Sequence, residues 1–191
     1  MPRIVLGITG GIAAYKAAEL VRLFAKAGID TACVMTKEAK EFITPLTLRT
    51  LSGNPVYDDM FFESKNPGYK IGHISLAQDC DLLVIAPATA NIIGKIACGI
   101  ADDLLTATVM ATDKKVLIAP AMNSQMWENP IVIENVKKLE KLGYTFIGPI
   151  KGVLACGETG AGHIEDVRVI FETAVSMLKI KKKQRIKRGR S

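Results

Sequence analysis

His73, Asn123 and Cys156 are the side chains in this sequence with the clearest capacity for chemistry. An imidazole with a pKa of about 6.5 can act as a base or a hydrogen-bond partner, and a thiol with a pKa of about 8.5 can donate a proton. An asparagine amide donates and accepts hydrogen bonds at once. Each residue alone also has a simpler interpretation: a surface or capping histidine, an asparagine that caps the next turn, and a cysteine exposed in a glycine-rich loop.

Glycine and hydroxyl residues follow the first two strand-like segments. Gly10 and Gly11 end the apolar run at the N-terminus, and Ile12 opens a helical pattern. Glycines let a backbone approach a phosphate, and a helix N-terminus offers unpaired N–H groups, although a tight strand-to-helix turn needs the same residues. Thr36 and Lys37 end the second strand, where a dinucleotide fold normally carries an acidic residue. A hydroxyl and a cation instead favour a terminal phosphate, and hence a mononucleotide such as FMN.

The third and fourth strand-like segments both end in a proline followed by small residues and an asparagine. These loops are Pro87-Ala88-Thr89-Ala90-Asn91 and Pro120-Ala121-Met122-Asn123. Small residues allow a planar ring to lie close to the backbone, and the amides can hydrogen-bond to it. In an open α/β sheet, ligands bind at the carboxyl ends of the strands. The four loops therefore predict a cofactor site at one edge of a sheet.

Alternating apolar runs and amphipathic segments would position these loops. Short, near-continuously apolar runs predict buried parallel strands at residues 3–8, 31–35, 82–86, 115–119 and 144–147. Helical spacing predicts helices at residues 12–28, at 89–111 with a break near Gly99, at 130–142 and at 166–178. The pattern indicates an α/β protein: a Rossmann-like or flavodoxin-like doubly wound parallel sheet in a single domain.

Two segments carry glycines, prolines and polar residues instead of a periodic pattern. Residues 51–71 are predicted to form an irregular loop, and residues 148–162, with five glycines, a mobile loop. Long loops in compact domains often act as lids or clamps. Because Cys156 lies in the second segment, a lid there would carry the candidate thiol.

The composition is that of an ordinary globular protein of 191 residues, with 49% hydrophobic and 23% charged residues. No apolar run approaches the roughly 18 residues of a membrane span, and the N-terminus lacks a signal-peptide pattern, so a cytoplasmic protein without a membrane partner is expected. The four cysteines form no CxxC pair, so neither a zinc ribbon nor a thioredoxin-type motif is predicted, and no metal site is expected. Cys33 and Cys98 lie in apolar stretches and are predicted to be core residues.

The net charge of +6 belongs to the C-terminus. Residues 179–191 hold eight of the 25 basic residues and no acid, which leaves 17 basic against 19 acidic residues in residues 1–178. The basic segment is predicted to be a disordered, solvated tail. Contact with nucleic acid or anionic lipid is the alternative interpretation, but the net acidity of the remaining chain argues against a nucleic-acid partner.

Five motifs occur in an order that resembles a known enzyme family. They are TGGIAAYK at Thr9–Lys16, HISLAQDCD at His73–Asp81, PATANIIGKIACGIADDLLT at Pro87–Thr106, PAMNSQMW at Pro120–Trp127 and ACGETGAGHIED at Ala155–Asp166. Over about residues 3–178 the chain is similar to the homo-oligomeric flavin-containing cysteine decarboxylases. PAMNSQMW and the ACGxxGxG pattern are the specific parts, while TGGIAAYK is shared with other flavoproteins.

The resemblance implies a role for each candidate residue. His73 matches the active-site histidine, Asn123 the residue that binds the substrate carboxylate, and Cys156 the proton donor of a flexible substrate clamp, expected at residues 148–164. FMN is the expected cofactor, and residues 1–178 are the expected flavoprotein domain. The residues matched to FMN binding are Gly10, Gly11, Ile12, Thr36, Thr89, Ala90, Asn91 and Ala121.

The resemblance also implies how the carboxylate would be removed. A saturated cysteine carboxylate resists decarboxylation because the departing electron pair has nowhere to go. In this family the thiol is oxidised to a thioaldehyde, which takes up the electrons as carbon dioxide leaves, and the ene-thiolate is then reduced and protonated. The expected conversion is 4′-phosphopantothenoylcysteine to 4′-phosphopantetheine in coenzyme A biosynthesis. The alternatives are decarboxylation of a peptide C-terminal cysteine, flavin prenyl transfer, which PAMNSQMW argues against, and a non-catalytic FMN-binding regulatory subunit.

The family further implies a homo-oligomer, a trimer or a dodecamer, with FMN at subunit contacts, and in many bacteria a synthetase domain follows the decarboxylase. The chain is therefore expected to be monofunctional or part of a bifunctional protein. It departs from the family pattern at three places: Asp79-Cys80-Asp81 replaces Trp-Ala-Asp, Ile92 replaces a hydroxyl residue, and His163-Ile164 replaces a common Arg-Met pair. The last change puts phosphate or clamp contacts near His163 in question, although a protonated histidine can partly replace arginine.

Overall fold

The main feature of the fold is a six-stranded parallel sheet, seen in a computed structural model that describes residues 1–60, 72–153 and 159–188. Its strands are β1 (Arg3–Ile8), β2 (Asp30–Met35), β3 (Val56–Tyr57), β4 (Leu82–Ala88), β5 (Val116–Pro120) and β6 (Thr145–Phe146). They are all parallel and follow the order β3-β2-β1-β4-β5-β6. The chain reverses its direction of winding between β1 and β4, which makes their carboxyl ends the switch point at which such sheets bind ligands. The predicted doubly wound sheet is confirmed.

The sheet is buried on both faces, which explains the apolar runs of its strands. Along β1, Ile4, Leu6 and Ile8 belong to one hydrophobic cluster, and Val5 belongs to the other. Successive residues of a strand point to opposite faces, so alternate residues serve two separate layers. All seven residues of β4 are buried, as expected for a central strand.

Helices cover both faces of the sheet. They are α1 (Lys16–Lys26), α2 (Pro45–Ser52), α3 (Gly72–Asp79), α4 (Ala90–Cys98), α5 (Leu104–Ala111), α6 (Ser124–Trp127), α7 (Pro130–Lys141) and α8 (Val167–Arg188), with short 3₁₀ turns at Ile12–Tyr15 and Lys37–Glu41. Buried residues of α1, α2 and α8 join one cluster, and those of α3, α4, α5 and α7 join the other. Where α1 meets α8, the rings of Phe24 and Phe171 pack with centroids 5.5 Å apart.

Two local signals account for the predicted break near Gly99. Gly99 ends α4 with a φ of 71°, a left-handed conformation that glycine adopts without strain. Asp103 begins α5 through a capping box, in which its carboxylate accepts a hydrogen bond from the Thr106 N–H at 2.8 Å. The Thr106 hydroxyl in turn accepts one from the Asp103 N–H at 3.2 Å. The break places the start of α5 against the sheet independently of α4.

The segment predicted as a mobile loop at residues 148–162 contains a hairpin. β7 (Ile150–Val153) and β8 (Thr159–His163) pair as antiparallel strands on either side of residues 154–158, which lie outside the described part of the chain. Glycines at 152, 160 and 162 hide the pattern, because a strand is recognised from alternating side chains and glycine has none.

Two other segments differ from the sequence prediction. β3 falls within the predicted irregular loop at residues 51–71, because two residues are too few to show a period. The last helix, α8, continues to Arg188, whereas the sequence prediction ended it at Leu178 and made residues 179–191 a disordered tail. Lysine, arginine and glutamine are good helix formers, and no glycine or proline follows before Gly189. None of the described helices, α8 included, combines the length and apolar character that crossing a membrane requires.

Candidate active site

A cleft of about 840 Å³ opens at the switch point between β1 and β4, a volume typical of cofactor sites. Its walls are the loops that follow β1, β2, β4 and β5, together with the end of β8. The structure brings to this cleft all nine residues predicted to bind the cofactor or the carboxylate: Gly10, Gly11, Ile12, Thr36, Thr89, Ala90, Asn91, Ala121 and Asn123. Strand order explains this, because the carboxyl ends of adjacent parallel strands meet at one edge.

Thr9 ties two of these loops together. Its hydroxyl donates to the Pro87 carbonyl at 2.8 Å and accepts from the Thr89 N–H at 3.1 Å. The side chain is buried, with 1% of its surface exposed, so no water competes for either bond. Thr9 belongs to the TGGIAAYK motif, but the sequence prediction gave it no role; the signal in the sequence is a hydroxyl residue directly before the Gly10-Gly11 turn. Thr9 holds the two loops in a fixed relation.

We predict that Thr9→Val destabilises the cofactor-free protein by about 1–3 kcal/mol, because valine keeps the shape but leaves the part-buried Thr89 N–H and the buried Pro87 carbonyl without their partner. Thr9→Ser keeps the hydroxyl and loses one methyl group, so its expected cost is about 0.8 kcal/mol. Urea unfolding of both variants measures the difference. Equal stability of Thr9→Val and the wild type would show that the loops do not depend on this hydroxyl.

Thr36 lines the cleft and has an unsatisfied polar atom. Its backbone N–H donates to the Ile8 carbonyl at 3.0 Å, which anchors the end of β2 beside β1. Its hydroxyl oxygen is buried, yet it has no hydrogen-bond partner among the described residues. A buried hydroxyl left unpaired is costly and uncommon. A ligand hydroxyl or phosphate oxygen in the cleft would satisfy it.

Asn123 lines the cleft and also caps a helix. Its side-chain oxygen accepts a hydrogen bond from the Gln125 N–H at 2.8 Å and so caps α6. The sequence interpretation of a capping asparagine is therefore confirmed. The cap fixes the orientation of the Asn123 side-chain amide.

The β7–β8 hairpin packs directly on the loop that carries Asn123. The Met122 N–H donates to the Gly162 carbonyl at 3.0 Å, and a side chain at Gly162 would overlap the Met122 carbonyl oxygen. Gly162 also has a φ of 144°, which favours glycine. This contact brings His163, the next residue, to the cleft wall. Only a glycine allows so close an approach of two backbones.

Lys16 and His163 meet across the cleft wall. The Lys16 ammonium nitrogen lies 3.0 Å from Nε2 of His163. Partial burial, and secondarily the positive charge of Lys16, lower the pKa of the His163 imidazole below its ordinary value. The imidazole is therefore neutral at neutral pH and accepts a hydrogen bond from the ammonium. Lys16 was unassigned by sequence reasoning, although it closes the TGGIAAYK motif.

His73 lies apart from the cleft lining in the described part of the chain. It is the second residue of α3 and is half-buried. Its Nδ1 is buried and has no hydrogen-bond partner among the described residues. Among the described residues, His73 is therefore not part of the lining that contains Asn123. The unpaired nitrogen is unexpected for a histidine that merely caps a helix.

The cysteines divide into distinct environments. Cys33 is buried in β2, and burial raises the pKa of its thiol to about 12, so it is unreactive core material as predicted. Cys98 was also predicted to be a core residue, but it is exposed, because it ends α4 on the solvent side. Cys156 lies outside the described residues. Among the described residues, no cluster of histidine, cysteine or carboxylate side chains could hold a metal ion.

Comparison with known proteins places the chain among flavoproteins. Residues 1–179 match the family model described as Flavoprotein. The coenzyme A biosynthesis bifunctional protein CoaBC of Vibrio vulnificus (strain YJ016) is 47% identical over 162 residues, which are 85% of this chain and 40% of that protein. The probable phosphopantothenoylcysteine decarboxylase of Streptococcus mutans is 44% identical over 172 residues, 89% of this chain and 95% of that protein. The chain thus spans well under half of the bifunctional relative and nearly all of the shorter one.

Solved structures with the same fold agree. A cysteine-to-serine mutant of PPC decarboxylase complexed with pantothenoylaminoethenethiol superposes with a TM-score of 0.86 at 36% identity, covering 93% of this chain and 98% of that one. The FMN-dependent cysteine decarboxylase SpaF superposes with a TM-score of 0.81 at 32% identity, covering 94% of this chain and 98% of that one.

Proposed function

The chain belongs to the flavoprotein family, and on that premise we propose that it is an FMN-dependent enzyme that decarboxylates 4′-phosphopantothenoylcysteine to 4′-phosphopantetheine in coenzyme A biosynthesis. One observation carries the proposal: a single cleft at the switch point gathers every residue that the motifs match to FMN and carboxylate binding. The similarity to a probable phosphopantothenoylcysteine decarboxylase over 95% of that protein's length supports the choice of substrate.

The cleft residues fit FMN. The Gly10-Gly11 turn offers backbone N–H groups without side chains, and the unpaired Thr36 hydroxyl offers a donor and acceptor beside it. Ala90 and Ala121 leave room for a planar ring close to the backbone. When bound, FMN would supply reversible hydride transfer, which a polypeptide cannot perform with its own side chains.

This chain's residues then have separate tasks. Asn123, oriented by its cap on α6, binds the carboxylate that leaves as carbon dioxide. His73 acts as a base or hydrogen-bond partner during oxidation of the substrate thiol. Cys156, carried between β7 and β8, supplies the proton that the carbon atom needs after carbon dioxide has left. The hairpin, docked through Gly162, excludes water from the cleft while this happens.

We propose that His73 serves the cleft of a neighbouring subunit in a homo-oligomer, a trimer or a dodecamer. His73 is absent from the lining formed by the described residues of its own chain, and its Nδ1 is unpaired there. Apolar side chains beside the cleft are exposed, among them Ile12 at 59% and Tyr15 at 58%, as expected of a subunit contact. Co-expression of inactive His73→Asn and Asn123→Ala subunits should restore part of the activity, whereas a site made within one chain would stay inactive.

The proposed activity has a direct test. Purified protein should show the absorption spectrum of bound flavin and release one carbon dioxide for each 4′-phosphopantetheine formed. Colourless protein that cannot be loaded with FMN, or loaded protein that leaves the substrate intact, would contradict the proposal. Carbon dioxide loss from a peptide C-terminal cysteine, without turnover of the pantothenoyl substrate, would establish the main alternative.

Several partners follow from the proposal. Because the chain spans 40% of the bifunctional relative, we propose that a synthetase domain or a separate synthetase chain makes its substrate. The setting would be cytoplasmic, with no membrane partner. The non-enzymatic alternative is a regulatory subunit that binds FMN. The sequence retains all three candidate catalytic and substrate-binding residues, His73, Asn123 and Cys156, which favours an enzyme.

A further inference from the structure

Two basic side chains share one wall of the cleft without an acidic partner. Lys16 begins α1 and His163 ends β8, and both line the cleft. Glu38 is the one carboxylate in the described lining, and no ion pair among the described residues joins it, or any other acid, to Lys16. A pair of basic groups in contact, facing an open cleft, has unused capacity to bind a negative ligand.

The geometry of the pair defines its ligand-free state. An ammonium group only donates hydrogen bonds, so at 3.0 Å Nε2 of His163 must accept and its ring proton must sit on Nδ1. The pair then carries one positive charge, and two further N–H groups of Lys16 remain for other acceptors. The imidazole lies over Gly152 on the paired strand, where an added Cβ would be 3.3 Å from the His163 ring atom Cγ.

We propose that Lys16 and His163 together form a subsite for a phosphate monoester, an inference that rests on the proposed function and identifies the residues that select phosphorylated ligands. A phosphate group has three oxygens and can accept from both residues at once. Its charge favours protonation of His163, so the Lys16–His163 bond is exchanged for two charge-assisted bonds to phosphate oxygens. A carboxylate carries only one unit of charge, and in the proposed function Asn123 on the neighbouring loop binds it.

Both FMN and 4′-phosphopantothenoylcysteine carry a phosphate monoester, so the experiment must separate the two. One arm compares the affinities of cofactor-free protein for FMN and for riboflavin, measured by quenching of flavin fluorescence. The other compares 4′-phosphopantetheine with pantetheine by calorimetry on the FMN-loaded protein. Neither arm requires turnover, so a protein without decarboxylase activity still tests the subsite.

In one of the two ligand pairs, Lys16→Met should lower the affinity for the phosphorylated ligand by about 10- to 100-fold. The affinity for the dephosphorylated ligand of that pair should not change. Loss with FMN alone assigns the subsite to the cofactor, and loss with 4′-phosphopantetheine alone assigns it to the substrate. His163→Gln should cause a smaller loss on the same ligand, because glutamine can hold Lys16 but cannot take up a proton. Lys16→Arg should restore part of the affinity.

Lys26→Met is the matched control, because Lys26 lies exposed in the last turn of the same helix. It should leave all four affinities unchanged. Thermal unfolding of each variant checks that it is folded. Unchanged affinities in Lys16→Met, or equal losses for phosphorylated and dephosphorylated ligands, would overturn the assignment.

Discussion

Replacing His73 with asparagine is expected to lower the decarboxylation rate constant kcat by about 10²- to 10⁴-fold, the usual contribution of a positioned acid or base. The free energy of unfolding should not fall. Nδ1 of His73 is buried without a partner among the described residues, so removing the ring breaks no hydrogen bond of that nitrogen within the part of the chain that the structure describes. A residue kept at some cost to stability and needed for turnover is what a catalytic role predicts.

The control for this variant is Gln78→Ala, a substitution at an exposed position on the same helix. Both proteins should retain the flavin spectrum, and Gln78→Ala should retain full activity. Stopped-flow measurement of flavin reduction would show whether the oxidation step is the one lost. Undiminished activity of His73→Asn would remove the histidine from the mechanism and revive the regulatory-subunit alternative.

Replacing Gly10 with alanine is expected to damage both the fold and cofactor binding. The added Cβ would overlap the Glu38 Cβ and lie 2.8 Å from the Glu38 backbone carbonyl carbon, which no side-chain rotation can relieve. Overpacking of this kind costs about 1–3 kcal/mol. Glu38 itself lines the cleft, so its displacement should also lower the affinity for FMN. A loss of 1.4 kcal/mol in binding free energy is a factor of ten, so the expected decrease in affinity is about 10-fold or more. Urea unfolding and flavin fluorescence titration measure the two effects.

Gly11 provides a matched comparison one residue away. Its backbone is extended, with a φ of −167°, and the nearest heavy atom to an added Cβ is the Thr89 methyl at 3.7 Å. Gly11→Ala should therefore leave the cofactor-free protein within about 0.5 kcal/mol of wild type. If FMN approaches this backbone as proposed, the variant should still lose affinity for it. Unaltered FMN affinity in both alanine variants would place the cofactor elsewhere in the cleft.

The four central strands of the sheet were predictable because the information that defines them is local. β1, β2, β4 and β5 are each buried on both faces, so each appears in the sequence as a short apolar run whatever its neighbours are. The helix break near Gly99 was predictable for the same reason, since a glycine at a helix end and a capping residue act within a few positions.

The β7–β8 hairpin was missed because little of its stability lies in its own sequence pattern. Its glycines serve the docking of β8 on the loop after β5, where the Gly162 carbonyl meets the Met122 N–H. From the sequence alone these glycines indicate flexibility. In the structure, the glycine at 162 permits a close contact between two backbones.

The sequence by itself determined the parallel α/β fold and the residue types gathered at its ligand edge, because strand periodicity and strand-end motifs are local properties of the chain. Tertiary structure alone decided that Thr9 joins the loop at Pro87, that Lys16 meets His163, and that His73 is absent from the cleft lining formed by the described residues. These relations depend on strand order and on the docking of a hairpin, which bring together residues as many as 147 positions apart. No local pattern encodes such distances, because they result from packing the two hydrophobic layers around one sheet.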